Sequence, residues 1–343
     1  MAVTVHSLIR EKLKAMIVVT GGAGFIGSNL VAGLEARCIG PIVVVDRLRQ
    51  GGKWLNLAKR GLHDMITPEQ LPEFLERHED DISAIFHMGA ISATTETDAD
   101  RIFENNFRLT LDLWSWCASR GVRLIYASSA ATYGDGTQGF EDDFTAKGLA
   151  ALRPLNPYGW SKHLFDRRAR AALDRGEVTP PQFAGLKFFN VYGPNEYHKG
   201  DMRSVPAKLY PQIMAGEAAR LFASDRPDYP DGGQVRDFIW VGDVVNVMLW
   251  LYDTPSVSGV FNLGTGRARS WNDLVTSLFT AAGLPPRIDY IPMPAHLKGK
   301  YQYYTQASMG RLRAAGYSAP FTELEDGIRR YVQAYLATPT PYV

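Results

Sequence analysis

Thr20-Gly-Gly-Ala-Gly-Phe-Ile-Gly27 decides how the rest of the chain is read. The apolar run Met16-Ile17-Val18-Val19 precedes it and reads as a buried strand. The stretch Phe25–Ala36 follows and reads as an amphipathic helix. Gly22, Gly24 and Gly27 fit G-x-G-x-x-G, while Gly21, Gly24 and Gly27 fit the related G-x-x-G-x-x-G. Glycines here turn the chain tightly, let a pyrophosphate approach the backbone and let helix pack on strand. The helix N-terminus then faces the phosphate charge. A second apolar run, Ile42–Val45, ends at Asp46, a carboxylate about 20 residues beyond the glycines, placed to take ribose hydroxyls. Strand, glycine turn, helix, strand and acid together predict a dinucleotide site.

Working outward, strand-like and helix-like stretches alternate. Ser83–His87 and Val122–Ala127 read as strands, Ala99–Ser119 and Leu155–Leu173 as helices, and Phe183–Phe189 as a further strand. Such alternation implies βαβ units, so the expected fold class is α/β, a Rossmann-like doubly wound parallel sheet. Ligands of these sheets lie beyond the C-terminal strand ends. After Pro194 the pattern shortens, with Pro/Gly-rich stretches at 227–233 and 285–294. Residues 16–193 are therefore expected to form the dinucleotide-binding domain, completed by parts of about 235–265. Residues 194–343 mainly form a smaller C-terminal α/β substrate lobe, and 1–15 an N-terminal extension.

Bulk properties narrow the classes. With 343 residues and a net charge of +1, no basic field points to nucleic acid or an anionic membrane. No apolar run approaches the roughly 20 residues of a membrane span, and residues 1–15 lack the apolar core of a signal peptide. Cys38 and Cys117 form no C-x-x-C and read as buried, reduced thiols of a cytoplasmic protein. Seven histidines show no metal-ligand spacing, so no metal is expected.

The chemistry concentrates in Tyr158-Gly-Trp-Ser-Lys162. On a helix, positions i and i+4 share a face, so phenol and ammonium can enter one site. A free tyrosine titrates near 10, and making it a base at pH 7 needs roughly 4 kcal/mol of preferential phenolate stabilisation. A neighbouring lysine cation can supply much of that. Ser128-Ser129-Ala-Ala-Thr-Tyr133-Gly134 follows a strand and offers hydroxyls to hold a substrate hydroxyl against Tyr158.

These motifs together resemble the extended short-chain dehydrogenase/reductase family over about residues 16–336. Asn190-Val-Tyr-Gly-Pro194, Arg236-Asp-Phe-Ile-Trp-Val-Gly-Asp243 and Asn262-Leu-Gly-Thr-Gly266 resemble its later signatures. The resemblance implies Ser129, Tyr158 and Lys162 as the catalytic set. Ser129 is preferred to Ser128 because the family's serine lies four residues before a tyrosine, here Tyr133. Pro154–Gly159, His198-Lys199-Gly200, Lys298–Gln302 and Leu312–Tyr317 are similar to the ADP-heptose 6-epimerase branch.

That branch implies inversion of C6 of ADP-D-glycero-D-manno-heptose in lipopolysaccharide inner-core precursor synthesis. A transient 6-ketone forms, and hydride returns from tightly bound NADP. Lys199 is implied as a second acid/base, and a homo-oligomer, usually a pentamer, is expected. Two alternatives stand beside it, a UDP-sugar 4-epimerase and a non-enzymatic NADP-binding sensor. A dehydratase would carry an acidic pair where Ala130 and Ala131 stand.

For the cofactor, Asp46 favours a free ribose hydroxyl and hence NAD, whereas Arg47 and Lys53 favour the 2′-phosphate of NADP. Lys53 matches the branch's phosphate-contacting lysine. Gly21, Gly24, Phe25, Ile26, Gly27, the loop Met88, Gly89, Ala90, Ile91 and Ser92, and also Asn105 and Val191 complete the implied cofactor set, with Tyr158 and Lys162. The implied substrate set is Ser129, Asn190, Lys199, Asp201, Lys208, Phe222, Ala223, Ser224, Asp225, Arg236 and Tyr301. Asp201 and Lys208 depart from the branch's Ser and His.

Overall fold

The structure, a computed structural model, describes residues 15–294 and 301–343. Most of the N-terminal extension, and residues 298–300 of the Lys298–Gln302 motif, lie outside the described residues.

Apolar segments flanked by turns become the strands of a parallel sheet, because only a site covered on both faces can bury them completely. Met16–Thr20 (β1) and Ile42–Val45 (β2) are buried at every position. They join Asp64–Ile66 (β3), Ile82–His87 (β4), Arg123–Ser129 (β5), Phe183–Phe188 (β6) and Gly259–Leu263, which is β10 in chain order. The seven strands run in the order β10-β6-β5-β4-β1-β2-β3, all parallel. The chain reverses its winding direction between β1 and β4. The loops after those two strands therefore open a crevice at the C-terminal edge.

One face is covered by the helices Phe25–Ala36 and Val241–Asp253, around Leu30, Leu34, Val244 and Met248. The other is covered by Leu109–Arg120 and Pro157–Asp174, around Leu113, Trp114, Phe165 and Ala169. Burying each leucine, valine, methionine or phenylalanine among them is worth about 1.5–3 kcal/mol.

The second lobe is built on two small sheets. Asn190–Tyr192 (β7), Val235–Trp240 (β9) and Ala268–Ser270 (β11) form one, and Ala219–Phe222 (β8) pairs with Ile288–Ile291 (β12) in the other. They pack on Trp271–Ala281 and Leu324–Tyr331 through Phe238, Leu274, Leu278 and Ile328. Residues 241–263 thus return to the large sheet, while β9 serves the small one.

Two readings change. Cys117 is buried, but Cys38 is exposed at φ 55. It follows the last turn of the Phe25–Ala36 helix, where the chain leaves the core. The helix beginning at Ala99 passes through a π-helical segment, Phe103–Arg108, before continuing as Leu109–Arg120. No helix among the described residues is long and apolar enough to cross a membrane.

Candidate active site

The glycine turn sits at the end of β1. Gly21 has φ 67, and a Cβ there would lie 2.6 Å from the Cα and N of Gly89. Two backbone segments therefore touch where a side chain would separate them. The Phe25–Ala36 helix starts with Gly24 as its cap, with no side-chain cap bond and no acid in its first turn. Its free amides and positive dipole end suit an anion. These residues fit the pyrophosphate of a dinucleotide.

Asp46 accepts from Ala23 N at 2.9 Å through Oδ2, and from Arg47 N at 2.7 Å and Lys53 Nζ at 2.5 Å through Oδ1. Arg47 turns outward, its Nε donating to Glu69 at 3.0 Å. Of the two cations expected beside the ribose, Lys53 is the one held next to Asp46.

The loop after β4 is held by buried hydrogen bonds. Gly89 N donates to Thr20 Oγ1 at 3.2 Å, and that hydroxyl lies 2.6 Å from His87 Nδ1. His87 Nε2 meets Thr110 Oγ1 at 2.9 Å, and Thr110 donates to Asn106 O. The chain assigns the proton to Nε2. Burial drives His87 down to about 3, so the imidazole is neutral.

Asn105 does not tie this loop. Its Nδ2 donates to Arg101 O at 2.8 Å within its own helix. Asn106 takes the loop instead: Oδ1 accepts Ile91 N at 2.8 Å, and Nδ2 donates to Ile91 O at 2.9 Å and Ser161 Oγ at 3.1 Å. The π-helical segment shifts which residue faces the loop, and two adjacent asparagines in a sequence carry no sign of that shift. Ala90 and Ser92 are exposed beyond β4, and Met88 and Ile91 half-buried.

Ser129 closes β5, its Oγ accepting Ala131 N at 3.1 Å. Asn156 caps the Pro157–Asp174 helix through Gly159 N at 2.8 Å, and Pro157 occupies its first turn, which is why the helix starts at Pro157 rather than Leu155. A Cβ on Gly159 would stand 2.6 Å from Ala131 O. That glycine lets the helix press on the turn after Ser129 and brings Tyr158 beside the serine. Burial raises the Tyr158 phenol, and the Ser129 hydroxyl opposes it. Burial also lowers the Lys162 ammonium to about 8, against the pull of Asp166.

From the second lobe, the turn Tyr197–Met202 carries Lys199 to within 5.4 Å of the Phe25 ring, above the first turn of the dinucleotide helix. Burial lowers Lys199, opposed by Glu196. Glu196, which the sequence did not single out, is buried and accepts from Ser204 Oγ at 2.5 Å and Tyr331 OH at 3.0 Å. Asn56, also unforeseen, donates to Ala23 O and Asn195 O at 2.9 Å each, joining the glycine turn to the Lys199 segment.

Arg236 lies 5.2 Å from the Tyr301 ring centroid, and Tyr301 packs edge-on against Phe222. Asp225 N donates to Tyr303 OH at 2.9 Å, and Ser224 N to Asp231. The Phe222–Asp225 segment, Arg236 and Tyr301 thus form one cationic-aromatic surface. Asn190 is exposed at the start of β7, next to half-buried Val191; Lys208 Nζ reaches the Asp201 carbonyl at 3.3 Å. No group of acids, histidines and cysteines among the described residues is arranged to hold a metal.

The fold and site define a class. The profile of the NAD dependent epimerase/dehydratase family matches residues 17–264, and the chain belongs to that family. It is 54% identical over 333 residues to the ADP-L-glycero-D-manno-heptose-6-epimerase of Nitratidesulfovibrio vulgaris strain Hildenborough, covering 96% of this chain and 100% of the relative. The crystal structure of Helicobacter pylori ADP-L-glycero-D-manno-heptose-6-epimerase superposes with a TM-score of 0.76 at 29% identity, covering 94% of this chain and 97% of that one. A Thermus thermophilus UDP-glucose 4-epimerase in complex with NAD gives 0.68 at 26% identity, covering 92% and 97%. The chain is an epimerase that uses a nicotinamide cofactor.

Proposed function

We propose that this chain inverts C6 of ADP-D-glycero-D-manno-heptose, giving the L-glycero epimer used in lipopolysaccharide inner-core precursors. The observation that carries the reading is that proton-transfer groups are supplied by both lobes, one beside Ser129 and one over the start of the dinucleotide helix. Tyr158 and Lys162 come from the large domain, and Lys199, over Phe25, comes from the second lobe. A single acid/base suffices when substrate and ketone stay in place. A second is needed when the carbonyl oxygen moves.

Ser129 holds the C6 hydroxyl against Tyr158, and Tyr158 takes its proton as hydride leaves C6. A nicotinamide held by the turn at Gly21–Gly27 would supply the hydride acceptor and donor for this cycle. The Lys162 ammonium stabilises the phenolate, which burial alone disfavours. C6 lies outside the sugar ring, so the ketone turns about C5–C6 and presents its other face. Its oxygen then lies away from Tyr158, and Lys199 returns the proton. Burial makes Lys199 a readier proton donor than a surface lysine. Arg236 and the aromatic surface around Tyr301 take the ADP diphosphate and its base.

The cofactor is NADP, held by the turn at Gly21–Gly27 and read at the 2′ position by Lys53. The cycle consumes no reductant. The enzyme works as a homo-oligomer, which sedimentation of the purified protein will measure.

The test is NMR of ADP-D-glycero-D-manno-heptose with purified protein in deuterated water, without added cofactor. The C6 epimer is expected without deuterium at C6, because the hydride never exchanges with solvent. No epimer, even with NADP supplied, would reject the substrate.

A further inference from the structure

Behind the catalytic helix lies a buried ion pair with no partner in the reaction described so far. Asp166 and Lys187 meet at 3.2 Å, with side chains 0% and 2% exposed. Asp166 lies four residues beyond Lys162 on the Pro157–Asp174 helix, so the two share a face one turn apart. Its Oδ2 also accepts Ser128 Oγ at 2.8 Å, and its Oδ1 accepts Tyr126 OH at 3.2 Å. Lys187 continues to Thr132 Oγ1 at 2.7 Å, in the turn just after Ser129. One carboxylate therefore touches the strand that ends in Ser129 and faces the cation that serves Tyr158.

We propose that Asp166 is a positioning residue for the reaction, whose buried carboxylate keeps Lys162 charged and fixes the Ser128–Ser129 strand end against the catalytic helix. The proposal rests on the assignment of Ser129, Tyr158 and Lys162 given above. Stability alone is a poor reason to retain such a pair. Two ions are costly to desolvate, and apolar replacements of similar volume are often as stable. A charge beside a buried catalytic cation has a use that no apolar side chain can replace.

The groups around Lys162 make Asp166 its electrostatic counterweight. Around Lys162 and Asp166 stand Tyr158 and His163 of the same helix, neutral His87 of β4, Tyr126 of β5, Tyr133 of the following turn and Lys187 of β6. Among these described groups and Asp166 itself, Asp166 is the one carboxylate. Burial works against the Lys162 ammonium, and Asp166 is the group that opposes it. Without it Lys162 loses its proton at lower pH, and the phenolate loses its counter-charge.

The test is the pH dependence of kcat for the holoenzyme, for Asp166→Asn, for Asp166→Asn/Lys187→Met and for Lys162→Met. Asp166→Asn should move the alkaline limb of kcat down by about one pH unit, an approximately tenfold loss above it. KM and cofactor content should stay near wild type. The double variant removes both charges and leaves no unpaired lysine, so it tests the idea even if the single variant folds poorly. A displaced limb in the double variant supports the proposal. A wild-type limb in both Asp166→Asn and the double variant would mean that Asp166 only satisfies Lys187, and would overturn it. Lys162→Met separates the two levels. If it keeps wild-type kcat, the catalytic assignment itself fails. If it is inactive while both Asp166 variants keep the wild-type profile, only the positioning role fails.

Discussion

Gly21→Ala should damage this protein twice over, and both effects can be sized. Gly21 sits at φ 67, a left-handed conformation that costs an L-residue about 1–2 kcal/mol. The new Cβ would also stand 2.6 Å from Gly89 Cα and N and 2.8 Å from Met88 C, where real Cβ contacts stay beyond 3.0 Å. Those neighbours are backbone and cannot swing aside. Relieving a shortfall of this size in a packed interior costs about 1–3 kcal/mol, so the total is about 2–5 kcal/mol.

Gly24→Ala is the internal control. Its φ is −74, and its nearest contact is Gly21 O at 3.0 Å. The loss at this helix cap should stay near or below about 1 kcal/mol. Thermal unfolding of cofactor-stripped protein should show Gly21→Ala lower by roughly 4–10 °C, at about 2 °C per kcal/mol, and Gly24→Ala by roughly 2 °C or less. NADP binding to Gly21→Ala should weaken at least about tenfold, because the 88–92 loop must retreat. Equal, small shifts in both variants would refute the close approach of the two segments. Wild-type NADP affinity in a destabilised Gly21→Ala would refute that loop's part in binding.

Three more outcomes are expected. Lys199→Met should lower epimerisation by about 10²–10⁴-fold while bound NADP, measured by absorbance after denaturation, is unchanged; full activity would remove Lys199 from the mechanism. Lys53→Ala should weaken NADP about tenfold or more and NAD much less, as loss of a charge-assisted contact requires; equal losses in calorimetry would contradict a 2′-phosphate reader. His163 is held neutral, its ionisation lowered to about 4 chiefly by burial. Between pH 6.5 and 4 the unfolded chain gains a proton there that the folded chain refuses, so this contribution to stability is present above that window and lost within it. The Tm of His163→Phe relative to wild type should therefore rise as pH falls through that window, and a constant difference would refute a buried neutral imidazole.

The sheet was legible because its strands carry their own evidence. Val18, Val19, Val43 and Val44 are wholly buried, and an uninterrupted apolar run is the only pattern that allows this. Local spacing likewise exposed Gly21–Gly27 and the Tyr158–Lys162 pair. What stayed hidden depends on partners distant in the chain or on helix phase. Asn106 rather than Asn105 meets the loop because of a π-helical segment that propensity does not encode. Asp166 and Lys187 carry no local sign that they pair, because they come from different elements of the fold. Glu196 gains its meaning only when Ser204 and Tyr331 converge on it. Cys38 looked like a core thiol because its type usually is one, and its place just past a helix end puts it outside.

Asp46 carries a consequence for changing cofactor preference. A designer seeking a strict NADP enzyme, or a lineage drifting toward one, would look first to replace this acid. Yet the same carboxylate clasps the amide of Ala23 inside the glycine turn. If Asp46 takes the ribose as proposed, any replacement there alters that contact and the turn geometry together, so the two effects are not selected apart. Lys53, held to Asp46 from a separate short helix, has no such second duty to the turn. On the proposed cofactor reading, specificity is free to change at Lys53 and pinned at Asp46.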